Sequence, residues 1–394
     1  MSYRAPLRDL GFTLKHVLGL EDLQATGAYP DLDADVVDAV LEAAGQVSEG
    51  TLAPLNVSGD RAGSKLEGDG VIPAPGFGEA YRTFIEGGWM GLAAPTAHGG
   101  QGLPKALELA AFETVHSANM AFGLCPMLSL AAIEALEAHG TEAQKTTYLE
   151  KLISGEWTGA MVLTEPNAGS DLGALTATAT PKGDGTYSLN GQKIYITWGD
   201  HDMTDNIVHM VLARLPDAPL GPKGISLFLA PKYLLNADGS RGERNAFRPV
   251  GVEHKLGIHA SPTCVMAYEG ATAELVGLPN EGLAHMFTMM NAARVAVGVE
   301  GVGIAERAYQ NALAYATDRR QGRSVWTGEA SAPILDHPDV RRTLSVMKAR
   351  IAAGRAICLA TGMAADLARN SADADVARHW TDGVAFAEAV ALAD

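Results

Sequence analysis

A chain of 394 residues with 47% hydrophobic and 19% charged residues is long enough for two or three packed units and too apolar to be mainly disordered. Its 30 lysines and arginines against 46 aspartates and glutamates give a net charge of −16, which disfavours nucleic-acid binding because phosphate backbones attract cations. The three cysteines, Cys125, Cys264 and Cys358, are too far apart in the chain for a disulfide framework or a cysteine-ligated zinc site.

The first part of the chain has the apolar spacing of helices. After an N-terminal extension over residues 1–34, leucine and alanine recur at three and four residues, as in VVDAVLEAAGQV and LELAAFETVHSANMAFGL. Between these segments lie PAPGFGEA and AAPTAHGGQGLP, whose glycines and prolines indicate loops. The sequence therefore predicts an all-helical domain over residues 35–157.

The middle of the chain changes to short runs rich in β-branched residues, such as NIVHMVLARL and GISLFLAPK. This pattern predicts a β-domain over residues 158–278. Asn190-Gly191 divides the alternating run from Tyr187 to Thr197. Because Asn-Gly readily supplies two positive φ angles, it predicts a two-residue hairpin turn at that point.

Helical spacing returns from about Gly282 and predicts a C-terminal helical bundle over residues 279–394. Pro338 is expected in the first turn of a helix, with Asp336 or His337 near its N-cap. The last segment is still helical in pattern at Asp394, with no glycine, proline or polar cap to stop it. We therefore expect the chain to end inside an element, and the predicted fold class is α+β with an incomplete C-terminal bundle.

The glycine cluster, the histidines and the apolar runs of the sequence do not predict a nucleotide site, a catalytic site or a membrane span. Gly298, Gly301 and Gly303 lie in a helical pattern with no strand before them, so they favour close helix packing over a dinucleotide loop. His201 and His209 have no carboxylates in register and are predicted to have structural or surface roles. No uncharged apolar run reaches about 18 residues, so the sequence predicts no membrane span and a cytoplasmic protein.

The segment MVLTEPNAGSDLGALTATA, residues 161–179, is the most informative one. Its strand is expected to end at Thr164, and the following polar turn exposes several backbone N–H groups beside hydroxyl side chains. Such a turn is typical of a site for an anionic or carbonyl-rich ligand. Asn, Gly, Ser and Asp are also ordinary turn residues, so a simply capped turn is an equally good interpretation.

Together with four later segments, this one resembles the acyl-CoA dehydrogenase family over nearly the whole chain. The four segments are, in order, NGQKIYITWGD, EHKLGIHASPT, NAARVAVG and YATDRRQGR. The opening YRAPLRDLGFTL and the segments ARLPDAP and MFTMMNAAR are similar to the long bacterial branch, which includes methylmercaptopropionyl-CoA dehydrogenase-like enzymes. The resemblance implies a helical N-terminal domain, a middle β-domain built as a barrel or a sandwich, and a helical C-terminal domain.

The resemblance also implies an FAD cofactor, an acyl-CoA substrate and a set of site residues. Those implied for FAD are Met161, Leu163, Thr164, Ser170, Tyr195, Ile196, Thr197 and Arg319. Those implied for the CoA part of the substrate are Ser170, Ser261, Asn291 and Arg294. Thr197 is expected near the flavin nitrogen that accepts the hydride. Arg319 is expected to reach the FAD of a neighbouring subunit, which implies a homodimer or homotetramer.

The implied activity is dehydrogenation of an acyl-CoA thioester to the trans-2-enoyl-CoA, with electrons passed to an electron-transfer flavoprotein. An acyl-CoA oxidase of the same fold and a non-catalytic flavin- or acyl-CoA-binding protein remain alternatives.

The family's catalytic Glu stands in segments resembling GYIEE or IYEGT, which are not in this sequence, and Ala293 occupies the place that a minority of members use. Glu300 and Glu306 lie farther along the same predicted helix and receive no catalytic role. The general base is therefore expected beyond Asp394. The alternative is a complete but catalytically altered member.

Overall fold

The computed structural model describes residues 3–391, which form two compact units drawn from separate stretches of the chain. The first unit holds the chain up to Pro54, Leu103–Met120 and the chain from Arg294 onward, whereas the second holds Leu55–Gly102 and Ala121–Ala293. Helices precede and follow a central set of strands, as the changes in apolar period predict. The predicted boundaries between domains, at residues 35, 158 and 279, stay a prediction.

The helices are α1 (Leu7–Phe12), α2 (Leu20–Ala25), α3 (Ala34–Val47), α4 (Ala53–Ala62), α5 (Phe77–Glu86), α6 (Lys105–His139), α7 (Glu142–Ile153), α8 (Gly282–Asp318), α9 (Pro338–Asn370) and α10 (Ala374–Ala391). The strands are β1 (Lys65–Glu67), β2 (Gly70–Ile72), β3 (Trp157–Val162), β4 (Thr178–Pro181), β5 (Tyr187–Thr197), β6 (Asn206–Arg214), β7 (Ile225–Pro231), β8 (Tyr233–Leu235), β9 (Arg241–Arg244), β10 (Phe247–Val252) and β11 (Thr263–Val276).

Capping residues or a first-turn proline mark where three of the described helices begin. The Asp33 carboxylate accepts the N–H of Val36 at the start of α3, and Thr141 forms a capping box with Gln144 at the start of α7. Pro338 occupies the first turn of α9 with His337 at its N-cap position, which confirms the predicted start of that helix. The predicted continuation of the last helix at Asp394 lies outside the described residues.

The first unit is a helical assembly with an apolar core and a buried ionic cluster. Its core is formed by side chains of α1, α3, α6, α8 and α9, among them Leu10, Leu41, Val299 and Leu359. The Arg355 guanidinium bonds the Glu113 carboxylate through Nε and Nη2 at 2.6–3.0 Å and Glu306 Oε2 at 3.2 Å.

The second unit is built around a closed ring of strands. Antiparallel pairs join β5 to β11, β11 to β7, β7 to β6 and β4 to β5, and one parallel bridge between Thr178 and Arg214 joins β4 to β6. β3 pairs in parallel with β6, and β10 pairs with β11. Inward apolar residues such as Ile207, Phe228 and Met266 fill the ring. The predicted β-domain is thus a small barrel with added strands.

The predicted hairpin turn at Asn190-Gly191 is wrong. β5 runs without interruption from Tyr187 to Thr197, and Asn190 and Gly191 pair with Glu269 and Tyr268 of β11. A Cβ at Gly191, where φ is +144°, would lie 2.9 Å from the Cβ of Ala177. The glycine therefore allows two backbones to approach closely, and strand pairing on both sides overrides the local turn propensity.

The prediction of an all-helical first domain misses two short strands, β1 and β2. Residues of β1 and β2 form a two-stranded antiparallel hairpin between α4 and α5, with Leu66 opposite Val71. The three-residue strands are too short to give a period-2 signal in the sequence. This hairpin belongs to the second unit.

Two of the described helices, α6 and α9, are long and apolar enough by length and composition to cross a membrane. The most apolar 18-residue window of each is largely buried inside the protein, 78% for α6 and 56% for α9. Core helices of water-soluble proteins share these properties. Length and composition alone are therefore weak evidence for a membrane span.

Candidate functional site

The loop that leaves β3 lies against β5, so two of the segments implied for FAD meet within the second unit. Met161 is half-buried in β3 opposite Met210 of β6, and Leu163 and Thr164 follow where the strand has ended. The carbonyl of Thr164 accepts the N–H of Ile194 at 2.9 Å. This bond places Thr164 next to the stretch Tyr195, Ile196 and Thr197.

A buried ion pair joins the same two segments from the inside. The Lys193 ammonium donates to the carbonyl of Leu163 at 2.7 Å and to Glu165 Oε1 at 2.9 Å. Both side chains are fully buried. The pair therefore fixes β5 to the loop after β3 at a point two residues from Tyr195.

The Glu165 carboxylate also organises the strand that follows the loop. It accepts the N–H and hydroxyl of Thr176 at 2.7 and 2.8 Å and the N–H of Ala177 at 3.0 Å. Desolvation raises the pKa of this carboxyl, but Lys193 and the two N–H groups outweigh it and hold the pKa below its usual value. Burial holds the pKa of Lys193 below its usual value.

This arrangement leaves the amide of Thr164 directed away from the ion pair. In a planar trans peptide the C=O of one residue and the N–H of the next point in opposite directions. The Leu163 carbonyl faces Lys193, so the Thr164 N–H faces the other way. No described residue accepts a hydrogen bond from this N–H or from the Thr164 hydroxyl.

The end of β5 presents an aromatic ring on an unusual backbone. Tyr195 has a φ of +59° and its side chain is 60% exposed, whereas the next residue, Ile196, is buried. Thr197 is half-buried, and its hydroxyl has no hydrogen-bond partner among the described residues. Positive φ in a bulky residue is costly and persists only where the surroundings impose it.

Those surroundings are the residues immediately after Thr197. Trp198, with a φ of +50°, donates from Nε1 to the carbonyl of Ala121 at 3.1 Å and from its N–H to Pro262 at 2.7 Å. The buried His209 ring donates from Nε2 to the carbonyl of Gly199 at 2.7 Å. His201 is equally buried, and its Nε2 lies 2.9 Å from the Thr158 hydroxyl. Both histidines are buried and hydrogen-bonded, which fits the structural one of the two predicted roles.

The turn around Ser170 combines capped and uncapped groups. The Asp171 carboxylate accepts the N–H of Gly173 at 3.0 Å, and the Asn167 side chain donates to the carbonyl of Ala174 at 2.8 Å. Ser170 and Gly169 are exposed, and their N–H groups donate to no described residue. A capped turn thus explains Asp171 and Asn167, and a ligand role for Ser170 stays a prediction.

Ser261 lies inside the second unit and not on its surface. Its side chain is fully buried, and its Oγ has no partner among the described residues. Its carbonyl accepts the Lys255 ammonium at 2.8 Å and its N–H donates to Ile258. The predicted contact between Ser261 and CoA stays a prediction.

The remaining implied residues lie along and after α8. Asn291, half-buried, belongs to the second unit, whereas Arg294, three residues later on the same helix, belongs to the first. Arg319 follows the end of α8, is exposed, and donates from Nη2 to Gln321 Oε1 at 3.2 Å. The contacts of these three residues with substrate or FAD stay predictions.

Three successive family models match the chain. The N-terminal domain of acyl-CoA dehydrogenase matches residues 65–156, the middle domain residues 160–271 and the C-terminal domain residues 280–390. The chain belongs to the acyl-CoA dehydrogenase family. The predicted α+β fold, with helical, β and helical domains in that order, is thereby confirmed.

Named relatives agree with this membership. The 3-methylmercaptopropionyl-CoA dehydrogenase of Ruegeria pomeroyi is 50% identical over 371 residues, which cover 94% of this chain and 63% of that protein. The solved butyryl-CoA dehydrogenase of Megasphaera elsdenii is similar with a TM-score of 0.70 and 25% identity, over 91% of this chain and 88% of that one. The chain spans just under two thirds of the length of this and two other curated relatives that it matches.

A third likeness concerns the fold alone. An acyl-CoA dehydrogenase of Bacillus anthracis, solved in complex with FAD, has a TM-score of 0.71 at 24% identity and covers 92% of this chain and 56% of that one.

Sequence reasoning on this acyl-CoA dehydrogenase family member missed the ion pair beneath the site. Glu165 stands within the recognised motif, but the sequence presents it only as part of a polar turn. Lys193 shares strand parity with the buried Leu189, so period-2 alternation places it on the inner face of β5. This parity is the sequence signal that could have shown Lys193 to be buried. A buried lysine needs an anion as its partner, which would have led to a search for a buried carboxylate.

The two glutamates of α8 are also located by the structure. Glu306 is buried and bonded to Arg355 in the ionic cluster. Glu300 is buried in the first unit, its Oε1 has no partner among the described residues, and burial raises its pKa to about 7.

Proposed function

We propose that this chain forms the FAD- and acyl-CoA-binding part of an acyl-CoA dehydrogenase. The reaction is removal of hydrogen from the α and β carbons of an acyl-CoA thioester to give the trans-2-enoyl-CoA. Electrons pass on to an electron-transfer flavoprotein. Family membership supports this proposal, and the observation that carries it is the union of the Thr164 and Tyr195 segments through the bond from Ile194 N–H to Thr164.

The donor set at that union fits a flavin. The Thr164 N–H and the Thr164 and Thr197 hydroxyls have no acceptor among the described residues, and the Tyr195 ring is exposed beside them. A flavin is a flat aromatic system whose pyrimidine edge carries hydrogen-bond acceptors, so it needs donors of this kind together with an aromatic or apolar wall. Met161 and Leu163, on one side of the strand end, would supply part of that wall.

Bound FAD would supply acceptance of a hydride from the β-carbon of the substrate. The chain's own contribution is to bind and orient. Thr164 would donate to the pyrimidine edge from its amide and hydroxyl, and the Thr197 hydroxyl would donate near the nitrogen that accepts the hydride. Such donors favour the reduced, more electron-rich ring system because they are aimed at atoms that gain electron density. We assign the removal of the α-proton to none of the described residues.

The remaining residues complete the proposal. Ser170, Ser261, Asn291 and Arg294 would contact the CoA part of the substrate. Arg319 would bind the FAD diphosphate of a neighbouring subunit, where the guanidinium fork matches phosphate geometry. The assembly would then be a homodimer or a homotetramer in the cytoplasm, because each FAD site requires two chains.

The test is FAD titration followed by anaerobic addition of acyl-CoA. We expect stoichiometric FAD uptake, weakened at least tenfold by Tyr195→Ala and left unchanged by Tyr187→Ala at the opposite end of β5. We also expect acyl-CoA to bleach the flavin absorption of the FAD-loaded protein. Uptake without bleaching would overturn the dehydrogenase and support a non-catalytic flavoprotein, whereas rapid reoxidation of the bleached flavin by oxygen would support an oxidase. Failure to take up FAD would refute the proposal altogether.

A further inference from the structure

We infer that Lys193 is a positioning residue that acts on bound FAD through the Leu163–Thr164 peptide, both aiming the Thr164 N–H and strengthening it as a donor toward reduced FAD. This inference rests on the proposed function. It concerns a side chain that would not touch the cofactor.

The first step is geometric. Lys193 Nζ lies 2.7 Å from the carbonyl oxygen of Leu163, so the carbonyl is held toward the interior of the barrel. The planar peptide then turns the Thr164 N–H outward. The second anchor, from Ile194 N–H to the Thr164 carbonyl at 2.9 Å, fixes the next peptide as well. Two consecutive residues of β5 thus set the direction of one donor group.

The second step is electrostatic. A cation that donates to a carbonyl polarises the whole peptide, which makes the N–H at its other end a stronger donor. The effect is large here because Lys193 is fully buried, where the local dielectric is low and charge-assisted hydrogen bonds are strong. A stronger donor favours whichever redox form of the acceptor carries more electron density, which is reduced FAD.

The counter-ion is arranged so that it does not cancel this polarisation at the peptide. Glu165 meets Lys193 through Oε1, but its carboxylate is also held by the N–H and hydroxyl of Thr176 and the N–H of Ala177. The negative charge of Glu165 is therefore divided between Lys193 and three further donors, whereas the Lys193 ammonium bonds the Leu163 carbonyl directly. Removing the Glu165 charge should leave a stronger field on the peptide, and removing the Lys193 charge should leave a weaker one.

The inference predicts opposite effects for the two halves of one ion pair, which a purely structural role does not. In Lys193→Met, we expect the preference of the protein for reduced over oxidised FAD to fall about tenfold, which for a two-electron couple lowers the midpoint potential by about 30 mV. In Glu165→Gln, the potential should rise. A matched control is Lys232→Met, since Lys232 is a second buried lysine of the same unit that bonds Asp200 at 3.2 Å and the carbonyl of His201 at 2.7 Å.

The experiment measures FAD affinity and midpoint potential of the full chain and its three variants, with thermal unfolding as the check on folding. If Lys193→Met does not fold, Lys193→Gln keeps a donor for the Leu163 carbonyl without the charge, and its potential should still fall. Shifts of the same sign in the Lys193 and Glu165 variants, or a shift in Lys232→Met as large as in Lys193→Met, would overturn the inference. Variant potentials equal to that of the wild type would also overturn the inference. If the wild-type protein nevertheless binds FAD and is bleached by acyl-CoA, the proposed function still stands. A wild-type protein that takes up no FAD would end both.

Discussion

Glu300 is a buried acid whose carboxylate oxygen Oε1 has no hydrogen-bond partner among the described residues. Removing its charge should therefore stabilise the protein. The side chain is 8% exposed in the middle of α8. Burial alone raises the pKa from its ordinary 4.5 to about 7. The substitution Glu300→Gln keeps the shape of the side chain and removes the charge at every pH.

The magnitude follows from linkage. The folded state binds the proton more tightly than the unfolded state, so folding stability is intact below pH 4.5 and falls as the pH rises toward about 7. At about 1.4 kcal/mol per pH unit, the rise in pKa corresponds to about 3 kcal/mol lost above pH 7. Glu300→Gln should therefore unfold with nearly the wild-type free energy at pH 4.5 and be about 3 kcal/mol more stable at pH 8.

Urea denaturation followed by circular dichroism at the two pH values measures this difference. Glu306→Gln is the matched control, because Glu306 lies six residues later on the same helix and bonds Arg355 Nη2 at 3.2 Å. Its neutralisation should destabilise the protein at pH 8 by about 1–3 kcal/mol. The reasoning is refuted if Glu300→Gln gains no stability between pH 4.5 and pH 8, or if both glutamine variants change stability in the same direction.

Two other substitutions test the fold. Gly191→Ala should destabilise the protein by about 1–3 kcal/mol in urea unfolding. Gly191 has a φ of +144°, and the new Cβ would lie 2.9 Å from the Cβ of Ala177. A variant as stable as the wild type would contradict this strand geometry. Arg355→Met should lower the free energy of unfolding by about 3–5 kcal/mol, because Glu113 loses the partner that bonds it at 2.6–3.0 Å. Unchanged stability in thermal and urea unfolding would show that the ionic cluster does not exist as described.

The sequence predicts the order of the architecture because helix and strand differ in period. Apolar residues at three and four positions, then alternation, then helical spacing again indicate which parts pack as helices and which as strands. The Asn190-Gly191 error has the opposite cause. A dipeptide reports its local turn preference, but pairing with both neighbouring strands and the close approach of Ala177 decide its conformation.

The site is predictable in its segments but not in its supports. The motif around Thr164 and the stretch ending at Thr197 are recognisable along the chain, and the structure brings them together. The Lys193–Glu165 pair depends on which face of β5 points inward, and the positive φ of Tyr195 depends on the contacts that hold Trp198. Both arise only when distant segments meet. Strand parity gives a hint for Lys193, but no local pattern identifies its partner.

The central claim is that the loop after Leu163 and the end of β5 together hold a flavin. Hydrogen exchange of the backbone amides, measured by mass spectrometry with and without FAD, tests it most directly. The account predicts that FAD slows exchange at the Thr164 amide and across residues 195–198, and leaves β9 (Arg241–Arg244) unaffected. Protection confined to other parts of the chain, or no protection at saturating FAD, would contradict it.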